Sequence, residues 1–108
     1  MFKNMSEVRA ANEDGGFYFF KPKTMKFFNS KVVSSLLGGR YFITSEHYGT
    51  LPLRYSVREV FPNGDIETIG DPHKYKEDAK DVIKGLLKVK SNRFRGKKSS
   101  NPASGPAD

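Results

Sequence analysis

LRYSVREVFPNGDIETI, residues 53–69, is the stretch that decides the fold. Leu53, Tyr55, Val57 and Phe61 fall on one side of an extended chain, because side chains alternate with period two along a strand. The run then meets Pro62-Asn63-Gly64-Asp65, where Asn and Gly supply the positive φ of a tight turn, and Ile66 to Ile69 returns as an antiparallel partner. Just upstream, Arg40-Tyr41-Phe42-Ile43-Thr44-Ser45 is rich in the β-branched and aromatic residues that strands favour. A looser loop, His47-Tyr48-Gly49-Thr50-Leu51-Pro52, joins it to the hairpin, so residues 40–69 read as a three-stranded meander.

Helical spacing flanks this meander. After Lys21-Pro22-Lys23, Thr24 reads as an N-cap, and Met25, Phe28, Val32 and Leu36 follow at helical intervals, with Phe27 and Val33 widening the stripe until Gly38-Gly39 ends it. Downstream, from near Tyr75, the residues Ala79, Val82, Ile83, Leu86 and Leu87 form one apolar side of a second helix that must cover the sheet. Gly85 weakens that helix by about 1 kcal/mol relative to Ala unless it serves a close approach to the sheet. Nearer the start, Ser6 caps a short helical turn through EVRAAN. The block Phe17-Tyr18-Phe19-Phe20 reads as a short strand buried on both faces, the alternative being an exposed stacking platform. The expected fold is therefore α+β: a three- or four-stranded antiparallel sheet with two helices on one face, in the order (β)-α-β-β-β-α.

From Ser91 onward, SNRFRGKKSSNPASGPAD loses apolar periodicity and accumulates Gly, Pro, Ser and Asn, which sets an expected boundary between a domain at 1–90 and a disordered basic tail at 91–108. Charge follows the same division. Residues 1–87 hold 13 Lys and Arg against 11 Asp and Glu, whereas 88–98 hold six cations and no acid, so most of the formal +7 sits at the end of the chain. Lys76, Lys80, Lys84 and Lys88 recur every fourth residue and stack along one face of the last helix, leading into Lys90, Arg93, Arg95, Lys97 and Lys98. Cations in such a row match a phosphate backbone, although charged ends also serve solubility alone.

Catalytic signatures are missing. The chain of 108 residues has no Cys, which excludes disulfides and thiolate metal sites. Its two histidines, His47 and His73, have no second ligand at a metal-binding spacing, and Glu46 beside His47 points to the opposite face of a strand. Neither Gly15-Gly16 nor Gly38-Gly39 opens a helix as a phosphate loop must. No enzyme activity, cofactor or metal is expected. The longest apolar runs fall far short of the roughly 20 residues of a membrane span, and MFKNMSEVR lacks the apolar core of a secretory signal, so the expected setting is cytoplasmic.

In order and spacing, GFYFF, TMKFFNSKV, RYFITSEH and RYSVREVFPNGDIETIGDPHKY, followed by an AK-containing helix, resemble a family of small uncharacterised proteins encoded by bacteriophages, plasmids and other mobile elements. The resemblance covers about residues 15–87 and implies a bacterial host cell as the setting, but assigns no activity or site residue. The order of elements is also similar to that of a double-stranded-RNA-binding domain. Tyr75-Lys76-Glu77-Asp78-Ala79-Lys80 looks like that fold's helix start, although Glu77 replaces a lysine and Tyr48-Gly49-Thr50-Leu51-Pro52 departs from its loop signature.

The expectation that follows is a non-enzymatic accessory protein binding DNA or RNA phosphates through Lys76, Lys80, Lys84, Lys88, Lys90, Arg93, Arg95, Lys97 and Lys98. The alternative is an inhibitor or modulator of a host protein complex, a defence system among the candidates, acting through the hairpin Leu53–Ile69 or an uncovered sheet edge.

Overall fold

A computed structural model describes residues 1–15 and 17–94, the last five of them through their backbone. The 53–69 hairpin forms as the pattern predicts, with β3 (Arg54–Val60) and β4 (Ile66–His73) antiparallel and Val60 opposite Ile66. Gly64 holds φ at 94°, and the turn closes by Phe61 N–H donating to the Asp65 carbonyl and Gly64 N–H to the Phe61 carbonyl, each at 2.8 Å. β4 runs past the expected Ile69. Between the pairs Val57↔Ile69 and Tyr55↔His73, β3 supplies one residue and β4 three, so Gly70-Asp71-Pro72 bulges and Gly70 adopts φ 67°. β2 (Tyr41–Glu46) pairs with β3 in unbroken register from Tyr41↔Glu59 to Glu46↔Arg54, and β1 (Lys31–Val32) adds a short outer edge, giving the order β1-β2-β3-β4.

The helix expected over 24–37 does not form. In its place α2 (Pro22–Phe27) is six residues long, with Pro22 at its first turn and no side-chain cap from Thr24. Asn29 takes a left-handed φ of 49°, which reverses the chain, and Val32-Val33 then pair along β2, with Val33 N–H donating to the Ile43 carbonyl at 2.9 Å. β-branched residues lose less freedom extended than helical, and the waiting edge of β2 satisfies their backbone. The order of elements is therefore α-α-β-β-β-β-α, with an added edge strand between the helices and the three-stranded meander.

α1 (Met5–Glu13) is capped by Asn4, not Ser6: the Asn4 side chain accepts from Glu7 N–H at 3.0 Å, while the Glu7 carboxylate accepts from Lys3 N–H at 2.9 Å. The aromatic block is not a strand. Phe17 to Phe20 cross the sheet as an irregular segment in which Phe20 is buried and Phe17 is 60% exposed. Asn12, itself 1% exposed, holds that segment: its amide donates to the carbonyls of Phe17 at 3.1 Å and Gly64 at 2.9 Å, and its carbonyl accepts from Phe19 N–H.

α3 (Lys76–Phe94) covers one sheet face, burying Ala79 and Ile83 against Tyr41, Ile43 and Val57. The opposite face carries Phe42 and Val60, covered by Val8 of α1, by Phe20 and by Met25 of α2. The sheet is thus a middle layer, not an open sheet with both helices on one side. β2 is buried along nearly its whole length, from Tyr41 to Ser45, as a two-sided strand must be. Gly85 is exposed, with open space where a Cβ would stand, so it serves no close approach. α3 continues four residues beyond the expected domain boundary at 90. The remainder of the expected tail, 95–108, lies outside the described residues. Among the described residues no helix is long and apolar enough to cross a membrane.

Candidate functional site

The lysine row forms as its spacing requires. With Ala79 and Ile83 turned to the sheet, Lys80, Lys84 and Lys88 are exposed along the outside of α3, and Lys76 is half-buried at its start. Glu77, Asp78 and Asp81 are exposed in the same first turns, so the cationic character grows toward the later part of the helix. Lys90 and Arg93 lie within α3. Arg95, Lys97 and Lys98 fall outside the described residues.

On the other side of the sheet lies a groove that sequence patterning does not announce. Its floor is a polar ladder across three strands. Arg58 of β3 donates through Nη2 to Glu46 Oε2 at 3.0 Å and through Nε to Thr44 Oγ1 at 2.9 Å, and its other terminal nitrogen meets Thr68 of β4. Ser30 and Ser56 donate to the two Glu46 oxygens at 3.0 and 2.8 Å. Burial alone would raise the Glu46 pKa, but the hydrogen bonds from Thr44, Ser56 and Arg58, with the Arg58 charge, outweigh it and hold the carboxyl below its usual range. A carboxylate so fully partnered stays ionised near neutrality and holds the strands together. It is poorly placed to shuttle protons.

The walls of the groove are apolar. On one side of the Glu46–Arg58 pair a cavity of about 320 Å³ is bounded by Phe17, Phe19, Met25 and Phe28, with the Arg58 guanidinium 5.0 Å from the Phe19 ring centre. On the other side a wider depression of about 490 Å³ runs past Tyr48, Leu51, Pro52 and Pro72. Where the two meet, Phe27, Phe28 and Tyr48 form an aromatic shelf. Their ring centres lie 4.8 Å (Phe27–Phe28), 5.1 Å (Phe27–Tyr48) and 5.5 Å (Phe28–Tyr48) apart. Phe27 is 61% exposed and the other two 42%. The break at Asn29 creates this shelf: in the expected longer helix Phe27 and Phe28 belong to the buried stripe, whereas in the six-residue α2 they end the helix facing solvent.

The rim on the α2 side is cationic. Lys21, Lys23 and Lys26 are exposed, and Lys23 precedes Lys26 and Phe27 by three and four residues, which places these three on neighbouring positions of one helix face. From residue 15 to residue 45 the chain carries Lys21, Lys23, Lys26, Lys31 and Arg40 and no acid. That acid-free interval, interleaved with aromatics, was the available sequence signal; the denser run at 88–98 draws attention away from it. The acids Asp65 and Glu67 lie beyond Phe17 at the opposite end. His47 is exposed beside the shelf, its backbone N–H donating to the Phe28 carbonyl at 3.3 Å, and His73 pairs with Tyr55 across β4 and β3. Among the described residues, no three His, Cys, Asp or Glu side chains gather closely enough to hold a metal ion.

Comparison with curated proteins and with solved structures gives no match. A family of unknown function, DUF7447, matches over residues 4–84, an interval that contains α1, the whole sheet, the groove and Lys76, Lys80 and Lys84 but stops before the later cations. Since this interval spans most of the chain and all the strands, the protein belongs to the family of unknown function DUF7447.

Proposed function

We propose that the protein is a small non-enzymatic nucleic-acid-binding protein that works for a mobile element in the cytoplasm of a bacterial host. The observation that carries the reading is the exposed row Lys80, Lys84 and Lys88 along α3, which the sequence continues into the cations at 90–98. Each lysine that neutralises a phosphate releases a condensed counterion, so a row of cations binds a polyanion with an affinity that falls steeply with salt. Contacts of this kind position a nucleic acid without reading its sequence. The mobile-element setting is supported by the resemblance in residues 15–87 alone. A non-enzymatic role is supported by the locked state of Glu46, the acid at the centre of the groove.

Titration of the full chain against duplex DNA, single-stranded DNA and double-stranded RNA over a salt series tests this. Binding is expected to weaken with a log–log slope of about −3 to −5 on duplex DNA, and the combined Lys80→Gln, Lys84→Gln, Lys88→Gln variant is expected to lower the slope by about 2 to 3. Absence of binding to all three at about 100 mM salt refutes the reading and moves the assignment to the alternative, a modulator that binds a host protein.

A further inference from the structure

The aromatic shelf lies on the opposite face of the sheet from the α3 lysines, and the phosphate-binding reading makes no use of it. Three mutually touching rings, the most exposed of them 61% accessible, form an apolar surface that a soluble protein keeps for a ligand more often than for solvent. What sits on it is constrained by charge. Lys23 and Lys26 flank Phe27 on α2, no acid occurs between residues 15 and 45, and the one acid in the groove, Glu46, is neutralised by Arg58. The occupant is therefore anionic and presents flat apolar faces. An apolar peptide would not call for the lysines, and an acidic peptide supplies charge without ring faces. A nucleic-acid strand carries both, one phosphate for every base. In a duplex the faces of its bases are covered by neighbouring bases, so only an unpaired strand offers them to Phe27, Phe28 and Tyr48.

We propose that this shelf is a stacking site for single-stranded nucleic acid, with bases on Phe27, Phe28 and Tyr48 and adjoining phosphates on Lys23 and Lys26. The inference rests on the nucleic-acid-binding reading and adds to it a second surface and a preference for unpaired strands. The cavity between Phe17, Phe19 and Phe28, about 320 Å³ and open at the shelf, is at the small end of ligand sites and admits one ring system beside the Arg58 guanidinium. Base–aromatic stacking tolerates any base, so the site is sequence-neutral.

The test compares the full-length protein with Phe27→Ala and Tyr48→Ala variants, using labelled oligo-dT of about 20 nucleotides and a duplex of the same length at fixed salt. Phe27 is 61% and Tyr48 42% exposed, and far-UV circular dichroism checks that the variants fold. Each substitution is expected to weaken oligo-dT binding about tenfold while leaving duplex affinity and its salt slope within twofold of the parent. A Phe27→Trp variant is expected to retain oligo-dT binding and to show indole quenching as the strand binds. Binding of both probes with no change in the alanine variants overturns the stacking site and leaves the shelf to a protein partner. An equal loss toward both probes also overturns it, since stacking cannot report on a duplex interior. Failure of both probes to bind the parent protein refutes the nucleic-acid reading itself, a result distinct from the other two.

Discussion

Replacing Asn12 by Ala removes three hydrogen bonds, one of them to a residue 52 positions along the chain. The Asn12 amide spans from α1 to the carbonyl of Gly64 in the β3–β4 turn and to that of Phe17, while its carbonyl receives Phe19 N–H. Each such bond contributes about 0.5–1.5 kcal/mol net, and a buried group left without a partner costs about 1–3 kcal/mol. The Gly64 carbonyl is the buried partner of the three, whereas water reaches the other two once the segment loosens. The sum is a loss of about 3 kcal/mol, or a fall in Tm of about 15 °C at roughly 4–8 °C per kcal/mol for a domain of this size. Urea denaturation followed by far-UV circular dichroism measures it, with tyrosine fluorescence as a second probe because the chain has no Trp. Asn12→Asp sharpens the experiment. It keeps the acceptor for Phe19 N–H but turns a carboxylate toward two carbonyl oxygens, so its loss is expected to be at least as large at neutral pH and to shrink as acid protonates the new group. A loss below about 1 kcal/mol for Asn12→Ala would refute the view that this side chain holds the aromatic segment on the sheet.

Four further outcomes are expected. Gly64→Ala places a Cβ against the Ala11 carbonyl at φ 94°, where backbone meets backbone and neither yields, so it is expected to cost more than about 2 kcal/mol in the same denaturation assay. Ile83→Ala empties a site that is 1% exposed between α3 and the sheet and is expected to cost about 2–5 kcal/mol. Because the folded pKa of Glu46 lies below its ordinary 4.5, its stabilising effect is complete above that pH and is lost as the pH falls through the folded value. Glu46→Gln is thus expected to be less stable than the parent near neutrality and to converge with it in acid. Tyr41 has the opposite sign: burial first, then the Glu59 charge, raise its pKa against the opposing pull of Arg40, and its hydroxyl is buried without a partner among the described residues. The parent is expected to lose stability as the pH climbs above 10.0 toward the folded value, and Tyr41→Phe to flatten that alkaline limb in pH-dependent unfolding.

The meander was legible because its signals are local. Alternation in 53–61 and the Asn63-Gly64 turn specify a hairpin through neighbours within a few residues, and the last helix follows from a periodic stripe that finds the same sheet. The segment 24–37 departs from its expected helix because periodicity at Met25, Phe28, Val32 and Leu36 describes a helix while Val32-Val33 favour an extended chain, and nothing local weighs one against the other. The tie is broken by β2, whose free edge takes up the backbone of Val33. β2 itself carried a legible clue to burial on both faces, since Tyr41 to Thr44 lack the polar alternation of a half-exposed strand. At the candidate sites, the lysine row on α3 was readable from its four-residue repeat, because a helix converts that spacing directly into one face.

What the sequence determined by itself is therefore what short-range geometry governs: the hairpin, the helical stripe at 79–87, the lysine row and the surplus of cations. Tertiary structure alone decided the shelf and the groove. Phe27, Phe28 and Tyr48 meet only because the chain reverses at Asn29 and the β2–β3 loop returns to that spot, and Arg58 reaches Glu46 only across the strand register. Exposure of an aromatic ring depends on which other elements cover it, and that depends on every long-range contact at once. The aromatic block 17–20 shows the same limit: Asn12 and the turn at Gly64, 52 positions further along the chain, hold it, so no pattern confined to its own residues distinguishes the buried Phe20 from the exposed Phe17.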